Sequence, residues 1–218
     1  MIQGIKKHKP FPTIIVDNFF EDPHKVIQLA NSLDYTDSAE DNYAWPGKRS
    51  TPIHEADYSF FNDTVVKVLS TYFPFAKVSY NDARLRFQKV SSIYEDGWVH
   101  RDDNLITFII YLNNTKTIDG GTSIYVPKNP HPEDHDMTIN TDKKNESFKD
   151  PNKVKEYEAY RLENNNQFEE TIRVNNVFNR CVMFNAPSYH KANGFNTIDN
   201  SDDRLTLIGF IHDFTFEY

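Results

Sequence analysis

Eight consecutive residues, Leu105-Ile106-Thr107-Phe108-Ile109-Ile110-Tyr111-Leu112, carry no charge and are rich in β-branched and aromatic side chains. A run this short fits a strand better than a helix, and its lack of alternation requires burial on both faces. Neighbouring segments extend the pattern. From Arg84 onward, Leu85 and Phe87 alternate with Arg86 and Gln88, as a half-buried strand does. Gly120-Gly121 turns the chain into Thr122 to Val126, and Thr171 to Val174, Arg180 to Phe184 and Arg204 to Phe210 complete the set. Ahead of these, Phe11 to Val16 reads as a strand and Asp22-Pro23 as a helix start, with Asp22 capping and Pro23 in the first turn. Val26, Leu29, Ala30 and Leu33 follow at helical spacing. A loop covers Tyr43 to Lys48. A second helix is predicted over about Tyr58 to Phe73, with Phe61, Val65, Val68, Leu69 and Tyr72 on one side and Pro74 as its stop. Short strands behind frontal helices predict a mainly β fold with supporting α-helices: a double-stranded β-helix (jelly roll, cupin-like) braced by N-terminal helices.

At 218 residues the chain fits a single domain spanning 1–218. A polar insert at about 127–170 interrupts the strand pattern, and its middle, from Asp150-Pro151 to Tyr160, could form one short capped helix. A loop of this length is either functional or poorly ordered. The apolar fraction is only 38%, but aromatics reach 14%, which supplies large buried areas per residue. A net charge of −8 argues against nucleic acid as the main partner. The lone Cys181 rules out an internal disulfide, suits a reducing cytoplasm and reads as a small buried residue. Met1 to Lys7 has no apolar stretch of the kind a secretory signal needs, and no run approaches the roughly 18 apolar residues of a membrane span. A cytoplasmic location is expected.

His100-Arg101-Asp102 precedes the buried run, and His190 follows 88 residues later. Two imidazoles and one carboxylate can occupy one face of an octahedral ferrous ion and leave three positions open. On a strand, residues i and i+2 point to one side, so His100 and Asp102 can both reach one ion, while Arg101 faces away. His131-Pro132-Glu133 offers a competing match, but two prolines and a charged loop give it no rigid support, so a surface role is expected for His131. His190 lies just past a strand, near a sheet rim. Arg204 opens an apolar strand and shares a face with Thr206 and Ile208. Its planar fork suits a dicarboxylate, with a strand-end surface arginine as the plain alternative.

His100-x-Asp102, the distal His190 and Arg204-x-Thr206 together resemble the 2-oxoglutarate/Fe(II)-dependent oxygenases. The prolyl-4-hydroxylase-like branch, with its small bacterial and phage-type members of unassigned substrate, is the nearest match. Thr107 to Asn113, ending in Tyr-Leu-Asn, is similar to a strand of that branch. Gly120-Gly121-Thr122 is similar to its Gly-Gly turn, and Tyr94 to His100 to its approach to the first ligand. Val16 to Pro23 and Tyr43 to Lys48 resemble the front of an uncharacterised group in the superfamily.

The resemblance implies His100, Asp102 and His190 as ligands of Fe(II), and therefore as the catalytic centre. It implies Arg204 as the partner of the distal carboxylate of 2-oxoglutarate, with Thr206 and Tyr111 as hydroxyl partners. The 14-residue gap from His190 to Arg204 is a little long for the family. The implied activity is hydroxylation by O2, coupled to oxidative decarboxylation of 2-oxoglutarate to succinate and CO2. A peptide or protein side chain, a free amino acid and a small metabolite all fit as substrate. Two other classes stay open: a non-catalytic jelly-roll binding module, and a cupin-like metal enzyme that does not use a keto-acid. Trp98, two residues before His100, could wall the site or fill the core. Tyr94 is a weaker candidate for the co-substrate pocket, with core packing the plainer use.

Overall fold

In the computed structural model, which describes residues 11–38, 45–113, 120–131, 135–195 and 203–217, ten strands and five α-helices follow one another. The order is β1 (Ile14–Val16), α1 (Pro23–Ser32), β2 (Tyr35–Asp37), β3 (Lys48–Ser50), α2 (Ile53–Ala56), α3 (Tyr58–Tyr72), β4 (Lys77–Val90), β5 (Ile106–Tyr111) and β6 (Gly121–Pro127). Then come α4 (Thr141–Lys149), α5 (Glu158–Asn165), β7 (Phe168–Asn175), β8 (Cys181–Asn185), β9 (Tyr189–Asn193) and β10 (Arg204–Glu217). Seven strands form one antiparallel sheet in the order β1-β8-β5-β10-β4-β3-β2, and three form a second in the order β7-β6-β9. This is the expected jelly roll.

The apolar run fills β5, and every residue of that strand is buried. Its alternate side chains serve two cores. Ile106, Phe108 and Ile110 join Val26, Ala30, Val65, Val68 and Leu69 of α1 and α3 on the outer face of the large sheet. Ile109 and Tyr111 pack inward on Ile124 and Val174 of the small sheet. The N-terminal helices therefore brace the sheet as expected. Asp22 accepts from Lys25 N at 3.2 Å to start α1, and Asp57 accepts from Phe60 N at 3.0 Å to start α3.

Several boundaries differ from the sequence reading. β4 begins seven residues before Arg84, and β10 continues seven residues past Phe210. These extensions are largely exposed and polar, so they carry little apolar periodicity. β2, β3 and β9, three to five residues long, have the same weak signature. The insert is more structured than its polarity suggests. Asp150 caps a 3-10 turn at Pro151–Lys153, and α4 and α5 flank that turn. Phe148, Val154 and Tyr157 from the insert form a core with Val90, Tyr94, Trp98 and Phe195. Cys181 is fully buried, and burial pushes its thiol well above the ordinary range. Met1 to Lys7, Tyr43-Ala44 and Pro132-Glu133 lie outside the described residues. Among the described residues no helix is long and apolar enough to cross a membrane.

Candidate metal centre

The two predicted histidines face each other across the mouth of the roll. His100 and His190 form a reciprocal main-chain bridge, N to O at 3.0 Å one way and 2.9 Å the other. Asp102 N donates to Ala186 O at 3.2 Å, so a second contact pins the carboxylate-bearing residue to the same neighbour. Each imidazole lies with Nδ1 2.9 Å from the carbonyl two residues back, Trp98 O for His100 and Ser188 O for His190. A carbonyl only accepts, so each Nδ1 holds the proton and each Nε2 keeps its lone pair for a cation.

Those Nε2 atoms point at Asp102, at 3.7 Å from Oδ1 for His100 and 3.3 Å from Oδ2 for His190. One donor atom from each of the three residues lies within 4.8 Å of the others. Thr107 Oγ1 donates to Asp102 Oδ2 at 2.8 Å, and Asn104 Nδ2 in turn donates to Thr107 Oγ1 at 3.1 Å.

The electrostatics suit a cation. Burial lowers the pKa of His100 well below its ordinary value, helped by the nearby Lys144 ammonium and the His190 ring. Burial works against ionisation of Asp102, yet His190, His100 and the Thr107 hydroxyl hold it well below the usual carboxylate range. One carboxylate and a neutral His100 are the protonation states that metal binding requires.

Arg204 is only 2% exposed. Its guanidinium lies 5.4 Å from the rings of both Tyr111 and Phe195. Nη2 donates to Gly121 O at 3.1 Å and Nη1 to Asn193 O at 3.5 Å, while Nε is buried with no hydrogen-bond partner. Gly121 adopts φ +147°, and a Cβ there would meet Val174 O at 2.0 Å, so only glycine lets this turn present its carbonyl. Arg204 makes no ion pair among the described residues, an expensive state for a buried cation. A carboxylate reaching Nε would relieve it. Thr206 lines the same cavity, of about 320 Å³, as the three metal candidates and Arg204. The Tyr111 hydroxyl donates instead to Thr122 Oγ1 at 2.8 Å, and its ring lies beside the guanidinium.

Arg101 borders this cavity, but its guanidinium lies 5.5 Å from the ring centre of Tyr189, on the face of β9 opposite His190, as expected. Trp98 walls the cavity and packs in the insert core, and Tyr94 is a core residue whose hydroxyl donates to Phe148 O at 3.4 Å. His131 is exposed and stacks on His135 with ring centroids 4.8 Å apart, away from the triad.

Sequence reasoning passed over several residues. Lys144 and Phe148 of α4 line the cavity, and burial pushes Lys144 down to about 8 although Asp102 and Asp136 pull the other way. Asn165 accepts from Val99 N at 2.8 Å and donates to Gly97 O at 3.0 Å, while Asn164 donates to Val99 O at 3.0 Å. The insert thus grips the main chain on its way into His100. Arg161, buried between Asp96 and Glu158, adds to the same grip.

A family model described as a family of unknown function (DUF6445) matches residues 5–211. The chain belongs to that family. No curated protein matches the DUF6445 chain. Among solved structures, a prolyl 4-hydroxylase from Phytophthora capsici is similar at TM-score 0.53 and 14% identity, over 93% of this chain and 59% of that one. The DUF6445 chain therefore spans less than two thirds of the length of that chain. HygX from Streptomyces hygroscopicus, solved with nickel, 2-oxoglutarate and hygromycin B bound, is similar at TM-score 0.52 and 10% identity, over 91% of this chain and 82% of that one. At such identities the likeness establishes the jelly-roll fold alone, which hosts many functions.

Proposed function

We propose that this DUF6445 member is an Fe(II)- and 2-oxoglutarate-dependent hydroxylase of an organic substrate. The observation that carries the reading is one cavity holding a convergent His100, Asp102 and His190 together with a buried Arg204 that has no carboxylate partner among the described residues. His100, Asp102 and His190 would hold the iron, and Arg204 the distal carboxylate of the keto-acid, with Thr206 offering a hydroxyl nearby. When bound, Fe(II), 2-oxoglutarate and O2 supply the oxidising power to place one oxygen atom in a C–H bond, with succinate and CO2 as co-products.

The protein's own contribution is positioning and solvent exclusion. Thr107 fixes the Asp102 carboxylate through Oδ2. The carbonyls of Trp98 and Ser188 set both imidazole tautomers. Trp98, Ile109 and Phe148 give the cavity apolar walls that limit water around the reacting groups.

An anaerobic titration tests this. Fe(II) with 2-oxoglutarate should give the weak visible charge-transfer band of a keto-acid chelate, and His100→Ala or His190→Ala should abolish it. Unchanged binding in both variants would remove the assignment. Aerobic release of succinate from wild type separates the hydroxylase from a cupin-like metal enzyme that does not use the keto-acid.

A further inference from the structure

A second cavity, of about 350 Å³, lies beside the first, and Trp45, Arg49 and Phe210 wall both. The strand register explains the continuity. Thr206, Ile208 and Phe210 of β10 pair with Gln88, Arg86 and Arg84 of β4, so one inner face runs from the Arg204 end towards His212. The charged and titratable side chains around the second cavity are Arg49, Arg84, Arg86, His54 and His212, with no carboxylate lining it among the described residues.

The exposed Arg84 side chain makes no hydrogen bond or ion pair among the described residues, and His212 Nε2 is buried with no hydrogen-bond partner. Arg86 Nη1 donates to Ser50 O at 3.1 Å, and the Arg49 guanidinium lies 4.2 Å from the Trp45 ring centre. Glu55 pairs with His54 at 3.7 Å, and Asp213 accepts from Asn81 at 2.9 Å. Three guanidinium groups and two imidazoles thus line one cavity of a protein of net charge −8, and these are groups that pair with oxyanions.

We propose that this cavity binds an oxyanionic group, phosphoryl or carboxylate, of the substrate, which is a small acid spanning both cavities past Trp45 and Phe210. Guanidinium forks match either oxyanion bidentately, and both cavities have the size of small-molecule sites. The identification of the ligand as substrate rests on the hydroxylase reading; the anion site itself does not.

The test therefore uses the metal-free full chain, with pyrophosphate and malonate as probes in calorimetric titrations. Wild type should bind at least one probe saturably. Arg84→Glu should weaken that probe by at least about tenfold, and Arg84→Gln by less. Arg84 is exposed, so both variants should keep the wild-type circular dichroism and the Fe(II)·2-oxoglutarate band. The probe that loses affinity identifies the acid. Absence of saturable binding of both probes to wild type, or wild-type affinity for both in Arg84→Glu, overturns the anion site. Loss of the charge-transfer band in wild type would instead overturn the hydroxylase reading alone.

Discussion

Asn165 holds both the amide of Val99 and the carbonyl of Gly97, and His100 is the next residue along. Asn165→Ala removes both bonds and leaves main-chain groups unpaired, which should cost about 1–3 kcal/mol in stability. Partners that orient a metal ligand typically change affinity about 10–100-fold. Mn(II) titration of Asn165→Ala should therefore show weakening of at least about tenfold, and wild-type affinity would mean that the grip does not position His100. Arg204→Ala should mainly raise the 2-oxoglutarate concentration needed for succinate release, and Arg204→Lys should not restore it because an ammonium lacks the planar fork. An unchanged requirement in Arg204→Ala would place the anchor elsewhere. His100, Asp102, His190 and Arg204 were legible because each sits beside a strongly patterned strand. Thr107, Lys144 and Asn165 were not, because their roles depend on proximity that no local spacing encodes.

At the scale of elements, β5 and β10 carry the inner face of the large sheet, and their packing leaves little slack. A Cβ on Gly209 of β10 would come within 2.1 Å of the Phe108 ring, which is fully buried. Gly209→Ala should lower stability by about 1–3 kcal/mol through overpacking, read as a lower midpoint in urea at unchanged slope. A neutral result would show that Phe108 can rotate away. The strands with apolar periodicity, β5, β8 and the first half of β10, were readable from the sequence. β2, β3 and β9 were not, since short polar strands are held by their neighbours rather than by their own pattern. The insert shows the same limit: Phe148, Val154 and Tyr157 are too widely spaced among charged residues to announce a core, yet they close one against Trp98.

Across the whole molecule, the candidate metal centre brings His190 of β9 in the small sheet to Asp102, which Thr107 of β5 in the large sheet holds, so a bound cation would tie the two together. A divalent ion at about 100 times its dissociation constant should add about 2.7 kcal/mol of stability, or roughly 5–10 °C in melting temperature for a chain of this size. Mn(II) should raise the melting temperature of wild type and leave that of His190→Ala unmoved. Equal shifts in both would locate binding away from the triad. The architecture itself was predictable from strand order and frontal helices. The basic cavity beside the site was not, because Arg49, Arg84 and His212 come from three strands and converge only after the sheet forms.

His100 and His190 hold each other through their own main-chain amides and carbonyls. Because the polypeptide itself sets the spacing of the two imidazoles, the socket is finished before any ion arrives. Chelators should strip the protein without unravelling it, far-ultraviolet dichroism should stay flat through loading, and the ion should enter as a guest of the fold rather than its seed.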